Sequence, residues 1–317
     1  MTKGTFGRFI VGRVRSLPIS DGANIAMDEA GELSPEQSKE FERDKAVLAD
    51  YIAVVELWHT VKDNLIDFIN HFHKTVPFVI TEADLFGVLP SRYSREASRM
   101  LMNTVFMFRA FLDHADTLIS RKFGKGSEQY SVWKGIKSAE YDSRFAYRFI
   151  YKLRNYTQHV GSAPLQWRVA PDSKQGYREF EAMFELYSLV SDYDGWGKQL
   201  TEDLKSQPDY IDAITLLQDW GDSSYRVFKG LVSILQLEAL GSATRLASLR
   251  NNFSSEGTLV IFQWQNENQF LMKQVPEKDA ELILSGYPYN SEGELALDYR
   301  SRTHYEIMDQ AASNSII

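Results

Sequence analysis

The apolar positions of this chain recur over long stretches at three- and four-residue spacing, the period of helices that bury one face. The longest stripe begins after Ser34-Pro35-Glu36-Gln37. There the serine hydroxyl can accept from the amide three residues on, proline has the φ of a first helical residue, and glutamine can reach back to the cap. Val47, Leu48, Tyr51, Val55, Trp58, Leu65, Ile69 and Phe72 carry the stripe towards Pro77, which predicts a helix of about 40 residues, roughly 60 Å long. A second helix is predicted over residues 93–122, burying Leu101, Val105, Phe108, Leu112 and Ile119 and stopped by Gly124 and Gly126. A shorter one follows Ser127, and a fourth spans about residues 142–160, with Gly161 as its stop and Pro164 beyond. Four consecutive helices predict a bundle.

The flanks read differently. Residues 6–14 carry aromatic and β-branched positions and predict a strand, followed by a loop over residues 16–33. Beyond Pro164, residues 165–169 read as a short strand or connector, and helices are predicted over residues 178–191, 209–220 and 223–251. Two apolar runs, 258–264 and 269–275, flank the polar Gln265-Asn266-Glu267-Asn268 and predict a β-hairpin. A short helix over residues 277–284 and a frayed end over 311–317 complete the chain. The expected fold class is therefore mainly α. It comprises an N-terminal strand and loop (1–33), a helical bundle (34–168), an additional helical region (169–254) and a small C-terminal α+β element (255–317).

With 317 residues, 44% of them hydrophobic and 25% charged, the chain has ample material for a globular core. No run approaches the roughly 18–20 apolar residues of a membrane helix, and the amino terminus leads into no signal-like stretch, so a cytoplasmic location without membrane contact is expected. The absence of cysteine excludes disulfides, thiolate nucleophiles, thiolate zinc sites and iron–sulfur clusters, and leaves six histidines for imidazole chemistry. A net charge of -8 argues against a surface that coats nucleic acid broadly. Residues 134–168 are the exception, with seven Lys and Arg against two acidic residues.

That basic segment contains the candidate chemistry. On a wheel stepping about 100° per residue from Arg144, the positions Phe145, Phe149, Leu153, Tyr156 and Val160 fall between roughly 100° and 180°. Arg144, Arg148, Lys152, Asn155 and His159 fall within roughly 0–80°, and Arg154 near 280°, at the other edge of the polar face. An imidazole can move a proton near neutral pH, and a guanidinium can hold a phosphate through a charge-assisted fork. With RNA the neighbouring 2′-hydroxyl is itself a nucleophile, so such a pair needs neither metal nor cofactor.

Arg154-Asn155-Tyr156-Thr157-Gln158-His159, late in a four-helix segment, resembles the arginine, polar residue, three-residue spacer and histidine of HEPN-domain ribonucleases. The likeness covers about residues 34–168. It implies a HEPN-like bundle that forms a homodimer, brings two motifs into one cleft and cleaves RNA without metal. His159 would then be acid or base, Arg154 the phosphate ligand and Asn155 the positioning polar residue, with Arg144, Arg148 and Lys152 as an RNA-binding stripe. A toxin or defence effector with a cognate antitoxin or regulatory partner is the setting such a nuclease implies. The alternative is a non-catalytic helical interaction or RNA-binding protein, in which the stripe is a solvated face and the helix dipole favours His159 near the C-terminus.

Other combinations carry less. His71 and His73 project about 160° apart around a helix, which is too divergent for one ion, and His114 with Asp116 has the same defect. His59 and His304 are isolated, Asp192 and Asp194 lack a basic or histidine partner pattern, and Gly124-Lys125-Gly126-Ser127 lacks the spacing and preceding strand of a phosphate loop. Tyr193 to Trp196 reads as a turn with packing aromatics.

Overall fold

β-branched and aromatic residues open the structure as β1 (Phe9–Ser16), paired antiparallel with β2 (Ile25–Leu33). The computed structural model describes residues 8–16, 25–72, 91–169, 180–253, 257–266 and 269–289. His73, Pro77, His304 and the end expected to fray, 311–317, lie outside the described residues. The predicted cap forms: the Ser34 amide donates to Gln37 Oε1 at 2.8 Å and the Gln37 amide to Ser34 Oγ at 3.1 Å. It starts α1 (Pro35–Asn70). Next come α2 (Ser91–Phe123), stopped by Gly124 at φ +85°, and α3 (Glu128–Ser143), capped by the Ser127 hydroxyl accepting from the Tyr130 amide at 3.1 Å. A single extended residue, Arg144, separates α3 from α4 (Phe145–His159).

The remaining elements are β3 (Leu165–Val169), β4 (Phe180–Glu185), α5 (Leu186–Ser191), α6 (Lys198–Lys205), β5 (Tyr210–Asp212) and α7 (Ala213–Phe253). After them come β6 (Thr258–Asn266), β7 (Gln269–Gln274) and α8 (Glu277–Leu284). The described chain is mainly helical, with eight helices and two small antiparallel sheets. Four local expectations differ, one of them the start of the helix expected at residue 209, where Tyr210–Asp212 form β5 instead. Residues 25–33 form an edge strand on β1 rather than a loop, because pairing outweighs the poor strand propensity of Asp28, Glu29 and Gly31. The helix expected over 178–191 begins as β4, held between β3 and β5. Residues 213–253 form one helix without a break at Gly221, whose missing side chain accommodates Leu65: a Cβ there would lie 3.1 Å from Leu65 Cδ2.

The chain divides into two compact units, residues 1–52 with 235–317, and residues 53–234, a division different from the one drawn from the order of predicted elements. In the first unit the sheet order is β2-β1-β6-β7, so the N-terminal strand joins the C-terminal hairpin. Ile10, Val260 and Phe262 form one buried cluster of the sheet, and Gly12 admits the Phe262 ring, which a Cβ would meet at 2.4 Å. Asp44 is 1% exposed and is held by Arg245 through Nε at 2.7 Å and Nη2 at 2.6 Å, and by the Ser242 hydroxyl at 2.9 Å. Arg245→Met would leave a buried carboxylate with far fewer donors and is expected to cost about 2 kcal/mol, moderated by the guanidinium's own exposure. Urea denaturation checks it, and a loss below about 0.5 kcal/mol would show that Asp44 does not depend on this partner.

In the second unit aromatic rings fill the space between helices. Trp58 of α1 stacks on Phe228 of α7 at 4.2 Å, and Phe108 of α2 meets Trp220 and Tyr147 edge-on at 5.0 and 5.7 Å. Phe149 of α4 stacks on Trp196 at 5.8 Å. Five consecutive residues, Ala146 to Ile150, are buried, so the first half of α4 is enclosed on every side. This centrality positions the candidate residues that follow.

Candidate functional site

The second half of α4 emerges from the core one residue at a time. Leu153, Tyr156 and Thr157 stay buried, Arg154 and Asn155 are half-buried, and His159 is exposed at the end of the helix. The Arg154 guanidinium lies 5.9 Å from the Phe106 ring centroid, its Nη1 reaches Asn155 Oδ1 only at 3.5 Å, and its Nε is buried with no protein partner. Among the described residues no carboxylate pairs with it. The His159 ring lies parallel to Tyr193 with centroids 6.3 Å apart. Tyr193 in turn packs edge-on against Tyr156 and Trp196, and Trp196 Nε1 donates to the Leu189 carbonyl at 2.8 Å. The aromatic turn read from the sequence is thus the wall that holds the imidazole. Arg154 and His159 are separated by roughly 7.5 Å along the axis and about 140° around it, so one helix alone does not close both onto a single phosphate.

The basic stripe divides into three different situations. Arg144 is exposed and extended between two helices. Arg148, assigned to the solvated face by the wheel, is 5% exposed. Its Nε donates to Asp203 Oδ2 at 2.9 Å, Nη2 lies 2.7 Å from the same oxygen, and Nη1 donates to the carbonyls of Tyr141 and Asp142 at 2.6 and 2.8 Å. It satisfies carbonyls at the end of α3 that the helix itself leaves open, so it is a structural residue and has no free donor set for RNA. Lys152 is half-buried and faces a pocket instead of a flat surface.

This pocket, of about 340 Å³, lies between α2, α3 and α4. Arg109 and Asp116 come from α2, Lys134, Lys137 and Tyr141 from α3, and Tyr147, Tyr151 and Lys152 from α4. Asp116 accepts from Trp133 Nε1 at 2.5 Å and pairs with Lys137; Arg109 pairs with Asp113 at 2.9 Å and donates to the Tyr151 hydroxyl at 2.5 Å. Burial pushes the Tyr147 and Tyr141 hydroxyls up in pKa, so both remain protonated donors. Burial works against the Arg109 charge, but Tyr151 and Asp113 outweigh it and raise its pKa. Sequence reasoning passed over the three tyrosines, because a tyrosine on a helix reads first as core.

The weaker candidates have local explanations. His71 Nε2 lies 3.3 Å from the Tyr93 carbonyl, Asp192 accepts from the Ser191 hydroxyl at 2.8 Å, and Gly124 to Ser127 is the turn that caps α3. Among the described residues no three His, Asp or Glu side chains are grouped as a metal site, and no helix is long and apolar enough to cross a membrane. Searches against protein-family models, curated proteins and solved structures return no match to this chain.

Proposed function

We propose that the protein is a metal-independent RNA endonuclease of the HEPN type, acting as a homodimer, in which His159 transfers protons and Arg154 binds the scissile phosphate. The observation that carries this reading is the unpaired guanidinium. In the same unit Arg99, Arg109, Arg148 and Arg226 each have a carboxylate partner, whereas among the described residues Arg154 has none and shows an unsatisfied Nε. A cation held without a counter-ion, a little over one turn of helix before an exposed imidazole, is suited to an incoming phosphate. Asn155, adjacent to Arg154, positions the guanidinium or the substrate.

In the reaction the 2′-oxygen attacks phosphorus as a base removes its proton, the bond to the 5′-oxygen breaks, and an acid returns a proton to that leaving oxygen. The guanidinium offsets charge on the non-bridging oxygens. Two motifs from two copies supply both proton-transfer partners, and the second copy provides the surface that the divergence of Arg154 and His159 leaves open on one helix. Purified protein is expected to cleave single-stranded RNA in the presence of a chelator, leaving 2′,3′-cyclic phosphate and 5′-hydroxyl ends. A single 2′-deoxy substitution at the scissile nucleotide should abolish cleavage there. Equal cleavage of DNA, or a strictly monomeric mass at micromolar concentration, counts against the proposal. Growth arrest on expression, relieved by His159→Ala, is the outcome expected of a toxin or defence effector restrained by a cognate partner.

One observation favours a non-catalytic interaction or RNA-binding role. Among the described residues the His159 ring has a stacking contact but no hydrogen bond to orient a tautomer, as a histidine poised for catalysis commonly has. RNA binding without cleavage by the verified dimer would establish that reading.

A further inference from the structure

A second cavity, of about 310 Å³, lies between α1 and α7 inside the second unit, and its walls are mainly apolar. Trp58, Val61, Leu65 and Ile69 line it from α1, at the three- and four-residue spacing that puts helical side chains on one face. Trp220 and Tyr225 line it from α7. Trp58 is fixed by stacking on Phe228 at 4.2 Å, and Gly221 lets the α7 backbone stand close to Leu65, so the packing of the helices themselves sets these walls.

One cation belongs to the same face of α1. Lys62 stands between Trp58 and Leu65 on that face and lines the cavity, and its side chain is only 15% exposed, although lysine is ordinarily a solvated residue. Among the described residues its carboxylate neighbour is Asp63, at 4.0 Å, which is longer than a hydrogen bond. Successive helical residues point about 100° apart, and Asp63, 53% exposed, does not line the cavity. Lys137 and Lys273, by contrast, contact Asp116 and Glu42 directly. Asp222 lines the cavity from α7, but it is exposed, and its charge acts on Arg226 one turn later. A part-enclosed ammonium without a hydrogen-bonded counter-ion gains from an anionic oxygen, and apolar walls gain from a hydrocarbon body. The volume lies at the small end of ligand sites and limits that body to a single ring or a short chain.

We infer that this cavity binds a small carboxylic acid with an apolar body. Its carboxylate accepts from the Lys62 ammonium, and its ring or chain lies against Trp58, Leu65 and Ile69. The site is independent of the nuclease reading, since neither Arg154 nor His159 lines it.

Isothermal titration of the full chain with phenylacetate and hexanoate tests the inference, with phenylacetamide, hexanamide and acetate as comparators. At least one of the two acids is expected to bind about tenfold or more tightly than its own amide and than acetate, the scale of one charge-assisted hydrogen bond. Lys62→Met keeps the apolar stem and removes the charge. It should erase the preference for acid over amide, with an unchanged or raised melting temperature, whereas Lys62→Arg should retain that preference. Ile69→Trp, at a half-buried position, should fill the cavity and weaken acid and amide alike, and it provides the reading where Lys62→Met lowers the folded fraction. His159→Ala should bind the acid unchanged whether or not it cleaves RNA. No binding of either acid at millimolar concentration, amides bound as tightly as their acids, or affinity unmoved in folded Lys62→Met or Ile69→Trp protein would overturn the proposal.

Discussion

His159→Ala is expected to lower the rate of RNA cleavage by roughly 10²–10⁴-fold, the usual contribution of a positioned proton-transfer group. The imidazole is exposed at the end of α4 and rests against the parallel Tyr193 ring, so its removal should leave stability within about 0.5 kcal/mol of the parent. Activity and folding are thereby separable, by single-turnover cleavage on one hand and thermal melting on the other. Arg154→Lys should also be impaired, since an ammonium does not reproduce the planar fork that a phosphate accepts. It should leave DNA resistant and the dimer intact. Full activity of His159→Ala at verified purity would remove the nuclease reading.

Arg148→Met should destabilise the protein by about 3 kcal/mol, although this residue shares a helical stripe with two others whose replacement should cost little. Its guanidinium reaches Asp203 and the carbonyls of Tyr141 and Asp142, all inside the second unit. Removing it leaves a part-buried carboxylate and two helix-end carbonyls with fewer donors, and breaking a buried pair from one side is the costly way to lose it. The 27% exposure of Asp203 keeps the expectation at the lower end of the range for fully buried pairs. Arg148→Met combined with Asp203→Leu should recover much of the loss, since neither charge is then stranded. Arg144→Met, at an exposed residue, should change stability by less than about 0.5 kcal/mol. Urea denaturation of these variants distinguishes the structural arginine from its solvated neighbour; equal costs at 144 and 148 would contradict the buried pair.

The contrast between these two arginines marks where sequence reasoning stops. A wheel reports direction around one helix, and it correctly placed Phe149, Leu153 and Tyr156 inward and His159 outward. It does not report what stands opposite. Arg148 is buried because Asp203, 55 residues later in sequence, lies against that direction, and Tyr147 is buried because Phe108 of α2 packs against it.

Local chemistry was legible wherever the deciding contacts fall within a few residues. The Ser34 and Gln37 cap, the stop at Gly124, the cap at Ser127, the hairpin of β6 and β7 and the short α8 all follow from hydrogen bonds or periods that close within one turn or one hairpin. Tertiary structure alone decided that β1 pairs with β6, that residues 25–33 become a strand, and that Gly221 lies within a continuous helix. It also decided that Lys152 faces a tyrosine-lined pocket while Arg154 Nε is buried without a partner among the described residues. The physical reason is common to these cases: periodicity encodes which face of an element is apolar, whereas the partner of a strand edge, a buried charge or a cavity wall comes from a distant segment whose position only the packed chain determines.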